Sequence, residues 1–381
     1  MIHIPNMLMI GASGRNTGKT EFACRLIRRE AGIRCVTAVK ITTIRERGGS
    51  CPRGGAGCGV CSALKDRYEI LEEKTGGEAK DTQRMKSAGA ARVYWIRSFR
   101  DHLAAALADF LRRIQPGECV VCESNSARLA VEPGAFIVVR EKEGGPTKSS
   151  CTEVLDLADR IVSFDGRTWD LQPDRCVFLN GRWFVPARAT AAILAGGKSS
   201  RMGADKSLLP VRGRPLISHV ADAVRPLADE LIVGGDRSRF AFLECRVVPD
   251  EQPDQGPLMG ILSCLEAASH DRVLVVACDM PRLPAGIIPR MMRDARRFHA
   301  VIPVSADGTP EPLFAVYTKG FISAARSALA AGKRRVLDAL DQPACTHRHI
   351  AIPEGFFLEN INTPEDYRSC LLYTSPSPRD S

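Results

Sequence analysis

Ala191-Ala-Ile-Leu-Ala-Gly-Gly-Lys-Ser-Ser-Arg-Met-Gly-Ala-Asp-Lys206 joins a short apolar run to a loop of glycines and cations. An apolar run of this length ending in glycine reads as a buried strand, and the glycines let the backbone approach a nucleotide closely. Arg201 and Lys206 place two cations where a triphosphate would lie. A related beginning stands earlier in the chain, where Met7-Leu-Met-Ile10 runs into Gly11-Ala-Ser-Gly-Arg-Asn-Thr-Gly-Lys-Thr20. Each is followed by alternating strand and helix patterns, as in parallel sheets with crossover helices. The glycine spacings differ, so these are two different α/β domains and not a repeat. Expected are two three-layer parallel-sheet α/β domains, over residues 1–185 and 188–370. Between them, Val177–Phe184 reads as a hairpin turning at Asn180-Gly181.

The chain has 381 residues, 44% apolar and 25% charged, which excludes a wholly disordered or collagen-like protein. The N-terminus shows no signal-peptide pattern and no run is long enough to span a bilayer, so a cytoplasmic location is expected. Net charge is +9, unevenly placed: 29 basic against 22 acidic residues in 1–185, and 24 against 22 in the remainder. That excess suits phosphate-bearing ligands. No basic run is interleaved with aromatics, so neither nucleic acid nor membrane is expected as a partner. Residues 371–381 have no periodicity and rank as a disordered or artefactual tail.

In the first loop, Gly18-Lys19-Thr20 fits the end of a phosphate loop, with Gly14 beside it and Ser13 where the first glycine would stand. In such a loop backbone N–H groups cradle phosphates, the lysine reaches them and the hydroxyl holds Mg²⁺. Cys119-Val-Val-Cys122 reads as a strand that delivers Glu123 at its end, suited to organising Mg²⁺ or water. Asp81 is a second candidate carboxylate. The segment resembles the MobB family of GTP-binding adaptors of molybdenum-cofactor biosynthesis. That resemblance, over residues 5–165, rests on the phosphate loop, Val39-Lys40, Asp81 with Ala88-Gly-Ala90, and Glu123-Ser-Asn-Ser126.

Fourteen cysteines are expected to be reduced. Cys51, Cys58 and Cys61 sit among glycines with a C-x₂-C bite that suits Zn²⁺ or an iron–sulfur cluster, and free or redox-active thiols are the other reading. Cys119 and Cys122, three apart on a strand, point to opposite faces and read as core.

Further pieces belong to the second site. Arg272–Ala277 is a buried strand that places Asp279 at its carboxyl end, where α/β sheets bind ligands and where one carboxylate suits Mg²⁺. Asp250 follows another strand. Thr363-Pro364 and the acids after them form a good helix start, which leaves Asn360 and Asn362 as polar groups without a structural task.

Gly213-Arg-Pro-Leu216, Gly256-Pro-Leu258, Cys278-Asp-Met-Pro281, Glu311-Pro-Leu313 and Asn360–Asp366 follow the opening loop in order. Over residues 188–370 the chain resembles the MobA family of molybdenum cofactor guanylyltransferases. The resemblances imply a P-loop NTPase-like domain followed by a Rossmann-like nucleotidyltransferase domain, with GTP and molybdenum–molybdopterin as substrates, Mg²⁺, and GMP transfer to the pterin's phosphate. The second resemblance places GTP against Leu194, Ala195, Gly196, Gly197, Lys206 and Asp250. Asp279 would touch both GTP and Mg²⁺, with Asn360 and Asn362 toward the pterin. Catalysis would fall to Lys206, Arg201 and Asp279. One departure is Gly234-Gly235, where the family often offers the guanine an asparagine. A cytidylyltransferase using CTP, a sugar-phosphate nucleotidyltransferase and a non-catalytic GTP-dependent delivery adaptor are the alternatives. Molybdoenzyme apoproteins and cofactor-insertion proteins would be the macromolecular partners.

Overall fold

The computed structural model describes residues 1–44, 64, 66–78, 80–196, 205–352, 360, 361, 363 and 365–368. Gly197, Arg201, Asn362, the cysteine loop with Cys51, Cys58 and Cys61, and the tail 371–381 lie outside them. The chain divides into two compact units, Met1–Val185 and Pro186–Ser381.

The first unit runs β1 (Ile2–Ala12), α1 (Lys19–Ala31), β2 (Val36–Ile44), β3 (Tyr68–Glu72), α2 (Asp81–Ser87), β4 (Arg92–Phe99), α3 (Leu103–Leu111), β5 (Cys119–Glu123), β6 (Val131–Glu141), α4 (Ser149–Thr152) and β7 (Arg160–Phe164). A hairpin follows, β8 (Val177–Leu179) and β9 (Arg182–Phe184). Seven strands form one sheet in the order β3-β4-β2-β5-β1-β6-β7. Period-two alternation separates two cores. Leu8, Ile10, Val121 and Ile137 face Phe22 and Leu26 of α1 and Met85 of α2. Met7, Met9, Val120 and Val138 face Leu103, Leu107 and Phe110 of α3. Helices therefore cover both faces. Cys119 and Cys122 fall in opposite cores, and burial pushes the Cys119 thiol up to about 12. The hairpin turns at Asn180-Gly181, both at positive φ, and Trp183 Nε1 donates to the Val120 carbonyl at 3.1 Å.

The second unit runs β10 (Ala187–Leu194), the short pair β11 (Pro210–Val211) and β12 (Arg214–Pro215), α5 (Leu216–Val224), β13 (Ala228–Gly234), α6 (Arg237–Phe240), β14 (Arg246–Val248), α7 (Pro257–Ala267) and β15 (Arg272–Ala277). It continues with α8 (Ile288–Asp294), β16 (Ala300–Val304), β17 (Phe314–Thr318), α9 (Ile322–Ala330), α10 (Val336–Leu340) and β18 (His347–Ala351). Its seven-stranded sheet has the order β14-β13-β10-β15-β17-β16-β18. Ala192, Ile232 and Val275 pack under α7, α9 and α10. The alternate residues Ala191 and Ile193 face away from that cluster and are also buried. Helix α5 packs against β10 and β13, and α8 against β16 and β17.

Neither sheet is wholly parallel, contrary to the expectation. β3 runs antiparallel to β4, and β17 runs antiparallel to both β15 and β16. Both departures leave β1 and β10, the strands that run into the two glycine loops, with parallel neighbours only. In each unit parallel neighbours bring several carboxyl ends to one rim, where that unit's own glycine loop begins. Among the described residues no helix is long and apolar enough to cross a membrane.

The pairing of β1 with β6 slips between Ile4 and Leu8, so that Pro5, Asn6 and Met7 oppose Gly134 alone. A Cβ on Gly134 would lie 1.9 Å from the Pro5 carbonyl oxygen, a contact only backbone movement relieves. Gly134→Ala is expected to destabilise the first unit by ~1–3 kcal/mol, the usual range for overpacking. All three tryptophans lie in this unit, so urea unfolding followed by their fluorescence reads it selectively. A loss below about 0.5 kcal/mol, the scatter of neutral surface changes, would contradict this reading of the bulge.

Candidate active site

In the second unit, Leu194 on β10 aligns with Gly234 on β13 and with Ala277 on β15. Backbone bonds stitch the residues that follow: Ala195 N–H to Gly234 O at 2.8 Å, Gly235 N–H to Val248 O at 2.9 Å, and Cys278 N–H to Leu194 O at 3.1 Å. The rim thus collects Ala195-Gly196, Gly235, Asp250 and Asp279 from four strand ends. β10 also separates strands added in opposite directions, the switch point where open α/β sheets bind ligands.

Lys206 Nζ lies 3.8 Å from Asp279 Oδ2. That is an ion pair, but longer than the ~2.7–2.9 Å of a charge-assisted hydrogen bond. The Asp279 carbonyl accepts the Ile361 N–H at 3.0 Å, which brings the Asn360-Ile361 segment to the same strand end. Asn360 Oδ1 is buried there and has no hydrogen-bond partner among the described residues. A buried amide oxygen left unbonded costs stability, so a ligand that donates to it would recover that loss. Thr363 and Asp366 exchange side-chain-to-backbone hydrogen bonds at 2.8 and 3.1 Å, the reciprocal cap that the sequence pattern calls for.

Burial pushes both carboxylates, Asp250 and Asp279, above the ordinary Asp range, with Lys206 pulling Asp279 partly back. Asp250 faces the glycine positions 196 and 260, where Cβ atoms would stand 3.8 and 3.5 Å from its oxygens. Neither glycine sets a side chain against the carboxylate. Among the described residues no three His, Cys, Asp or Glu side chains converge into a metal cage. One hard carboxylate beside an open rim instead suits Mg²⁺, which takes one or two carboxylates together with substrate phosphates.

The first unit gathers a different cluster. Ile10 and Lys40, on the strands flanking β5, are both in register with Glu123. Lys19 Nζ lies 2.7 Å from Glu123 Oε1, and Lys40 Nζ pairs with Asp81 while lying 3.9 Å from Glu123. The Thr20 hydroxyl donates to Glu123 Oε2 at 2.9 Å, with Asp81 Oδ1 at 3.3 Å as the alternative acceptor. Burial would raise Asp81, but its hydrogen bond to Lys40 and the charges of Lys40 and Lys19 outweigh it and hold the carboxyl below the ordinary range. Two lysines and two carboxylates form one neutral network.

The preceding loop is held by Asn125, whose side chain accepts from Ala12 N–H at 2.7 Å and donates to Ala12 O at 2.9 Å. Lys148 Nζ donates to Gly14 O at 2.8 Å. Ser13 N–H bonds Val139 O at 3.0 Å, as a continuation of the β1–β6 ladder. Gly18 caps α1 in the left-handed region at φ 74°, where the Phe164 ring would meet a Cβ at 3.0 Å.

Of the expected site residues, Leu194, Ala195, Gly196, Lys206, Asp250, Asp279 and Asn360 come to one rim. Gly14, Gly18, Lys19, Thr20, Glu123 and Asp81 belong to the other cluster. Sequence reading missed Asn125 and Lys148 as loop supports. It also missed Arg239, which pairs with Asp205 just before Lys206. Lys40 carries a sequence signal of its own, a lone cation inside the apolar run Val36–Ile41.

Residues 191–344 match the model of the MobA-like NTP transferase domain. The chain is 38% identical over 187 residues to a probable molybdenum cofactor guanylyltransferase of Carboxydothermus hydrogenoformans, covering 48% of this chain and 94% of that relative. It is 37% identical over 177 residues to a molybdenum cofactor guanylyltransferase of Pseudomonas putida, covering 45% and 92%. Among solved structures, molybdopterin-guanine dinucleotide biosynthesis protein A from Archaeoglobus fulgidus is 23% identical, with a TM-score of 0.42, covering 48% of this chain and 97% of that one.

The burial of Asp250 has a consequence for stability. A carboxyl raised in the folded state binds its proton at higher pH than in the unfolded chain, near ~3.9. Its penalty is therefore absent in acid, grows as pH rises through the raised value, and is full at neutrality. Asp250→Asn is expected to raise the melting temperature of the second unit at pH 7, with the gain shrinking as pH falls toward 4. A lower melting temperature at pH 7 would mean that the carboxylate is stabilised and not strained. Asp81 has the opposite sign: its stabilisation is present above ~3.9 and is lost as pH falls through its lowered value.

Proposed function

The chain belongs, through its second unit, to the molybdenum cofactor guanylyltransferase family, and from that premise we propose how the two clusters divide the work. The second unit transfers GMP from GTP to the phosphate of molybdenum–molybdopterin. The observation that carries this is the half-buried Asp279 beside Lys206, at a strand-end rim within the residues 191–344 that match the MobA-like NTP transferase domain. An oxygen of the pterin's phosphate attacks the α-phosphorus of GTP. The new P–O bond forms as the bond to the β-phosphate oxygen breaks, and pyrophosphate leaves. The attacking phosphate is already anionic at neutral pH, so no strong general base is required.

In this reading Lys206, joined by Arg201, neutralises charge developing on the triphosphate, an electrostatic role of the kind that dominates such transfers. Asp279 would hold Mg²⁺, with Asp250 toward the nucleotide. When bound, the metal supplies Lewis-acid charge on the triphosphate oxygens. The strand-end backbone at Leu194, Ala195 and Gly196 orients the nucleotide, a role that the sequence motif extends to Gly197. Asn360 offers its unbonded Oδ1 to an N–H of the pterin, with Asn362 in the same motif.

For the first unit we propose a MobB-like P-loop that binds GTP with Mg²⁺ at Thr20. The lysine that would reach the phosphates, Lys19, is already bonded to Glu123, so phosphate binding exchanges one anionic partner for another. The role assigned is nucleotide-dependent delivery to molybdoenzyme apoproteins, not transfer.

The two sites separate by mutation. With pyrophosphate release measured on free molybdenum–molybdopterin and GTP, Asp279→Ala should lower transfer by ~10²-fold or more, the scale of losing a transition-state charge stabiliser. Lys19→Ala should leave it within about tenfold, since its loop serves binding alone. Large, equal losses in both variants would place the first cluster in the chemistry and contradict this division.

A further inference from the structure

The turn that carries Lys206 is braced from an unexpected direction. Asp205 caps the single turn Lys206–Leu208, and its Oδ1 accepts from Ser207 N–H at 3.1 Å and from Ser207 Oγ at 2.7 Å. Its other oxygen, Oδ2, is taken by Arg239. Both oxygens are thus committed, one to the turn and one to an arginine that lies on α6, after β13. Lys206 is the first residue of the turn so fixed, and its ammonium faces Asp279.

Arg239 is itself seated. Its guanidinium carbon lies 5.1 Å from the centre of the Phe240 ring, and Phe240 is fully buried. The ring presses on Gly235, where a Cβ would come within 2.9 Å of it. Gly235 is pinned to β14 through its bond to Val248 O. Asp236 starts α6 by accepting from Ser238 N–H at 2.9 Å, which sets the helix direction. The path from sheet to lysine is therefore Gly235, Phe240, Arg239, Asp205, Lys206.

We infer that Arg239 is a positioning residue for guanylyl transfer, acting through Asp205 to hold Lys206 opposite Asp279. The inference rests on the transferase reading of the second unit and adds to it a residue outside the glycine loop. Because Arg239 acts on the geometry of a charge that matters most in the transition state, its loss should appear in kcat more than in KM. A misplacement near 1 Å is worth ~10²-fold in rate. The guanidinium is partly exposed, so its replacement should leave the fold intact.

The test is steady-state pyrophosphate release by the full chain with Mg²⁺, GTP and molybdenum–molybdopterin, for wild type, Arg239→Gln, Arg239→Lys, Asp205→Asn and the Asp205→Asn/Arg239→Gln double variant. Arg239→Gln should lower kcat ~10- to 100-fold while KM for GTP moves by less than about threefold. Arg239→Lys should recover most of the loss, because a cation is restored to Asp205. The double variant should be no worse than the worse single one, the non-additivity of residues that act in series. Effects that multiply would mean that Arg239 meets the triphosphate directly, and an unchanged kcat would reduce it to a structural contact. Either result overturns the inference while wild type stays active. A wild-type chain that releases no pyrophosphate overturns the transferase reading together with it.

Discussion

Asp279 is a carboxylate held partly out of water at the carboxyl end of β15, with a single cation at pairing distance among the described residues. Burial disfavours its charge, Lys206 compensates only in part, and Asp250 nearby in the fold has no such help. A fold selected for stability alone would have covered these groups or replaced them. Parallel strands put them there: where β10, β13, β14 and β15 end together, residues far apart in sequence share a rim, and glycines keep that rim open. The unfavourable charge placement is what a phosphate- and metal-bearing substrate complex would relieve.

The first unit solves the same placement in the opposite way. Its carboxylates, Glu123 and Asp81, are already matched by Lys19 and Lys40, and the Thr20 hydroxyl completes the network. A neutral cluster of this kind is stable without ligand and must rearrange to receive one. A site that rearranges on binding suits a reporter of nucleotide state; a site with strained charges suits chemistry. That contrast is the physical basis for assigning transfer to the second unit and delivery to the first.

Much of this could be read from the chain. The two beginnings of a strand that runs into a glycine loop, the strand ending at Glu123, the strand ending before Asp279 and the opposite-facing Cys119 and Cys122 follow from periodicity and turn chemistry, which are local; that β11 and β12 come before α5 in the second unit does not. Strand direction is not local. Phe314–Thr318 is an apolar run that reads the same whichever way it enters the sheet, so β17 could not be known as antiparallel. Arg239 is invisible in the sequence for a related reason: its partner Asp205 lies 34 positions earlier, and only the folded chain brings them together. Asn125 sits inside a recognised motif, but its clasp on Ala12 depends on β1 and β5 being neighbours.

The most direct test is to incubate the full chain with molybdenum–molybdopterin, Mg²⁺ and each ribonucleoside triphosphate in turn, and to identify the dinucleotide cofactor formed. GTP should give the guanine dinucleotide with one pyrophosphate per product, well above the yield with CTP, ATP or UTP. Formation of the cytosine dinucleotide in preference, or GTP hydrolysis to GDP and phosphate without a dinucleotide, would contradict the assignment of guanylyl transfer to the strained carboxylate rim.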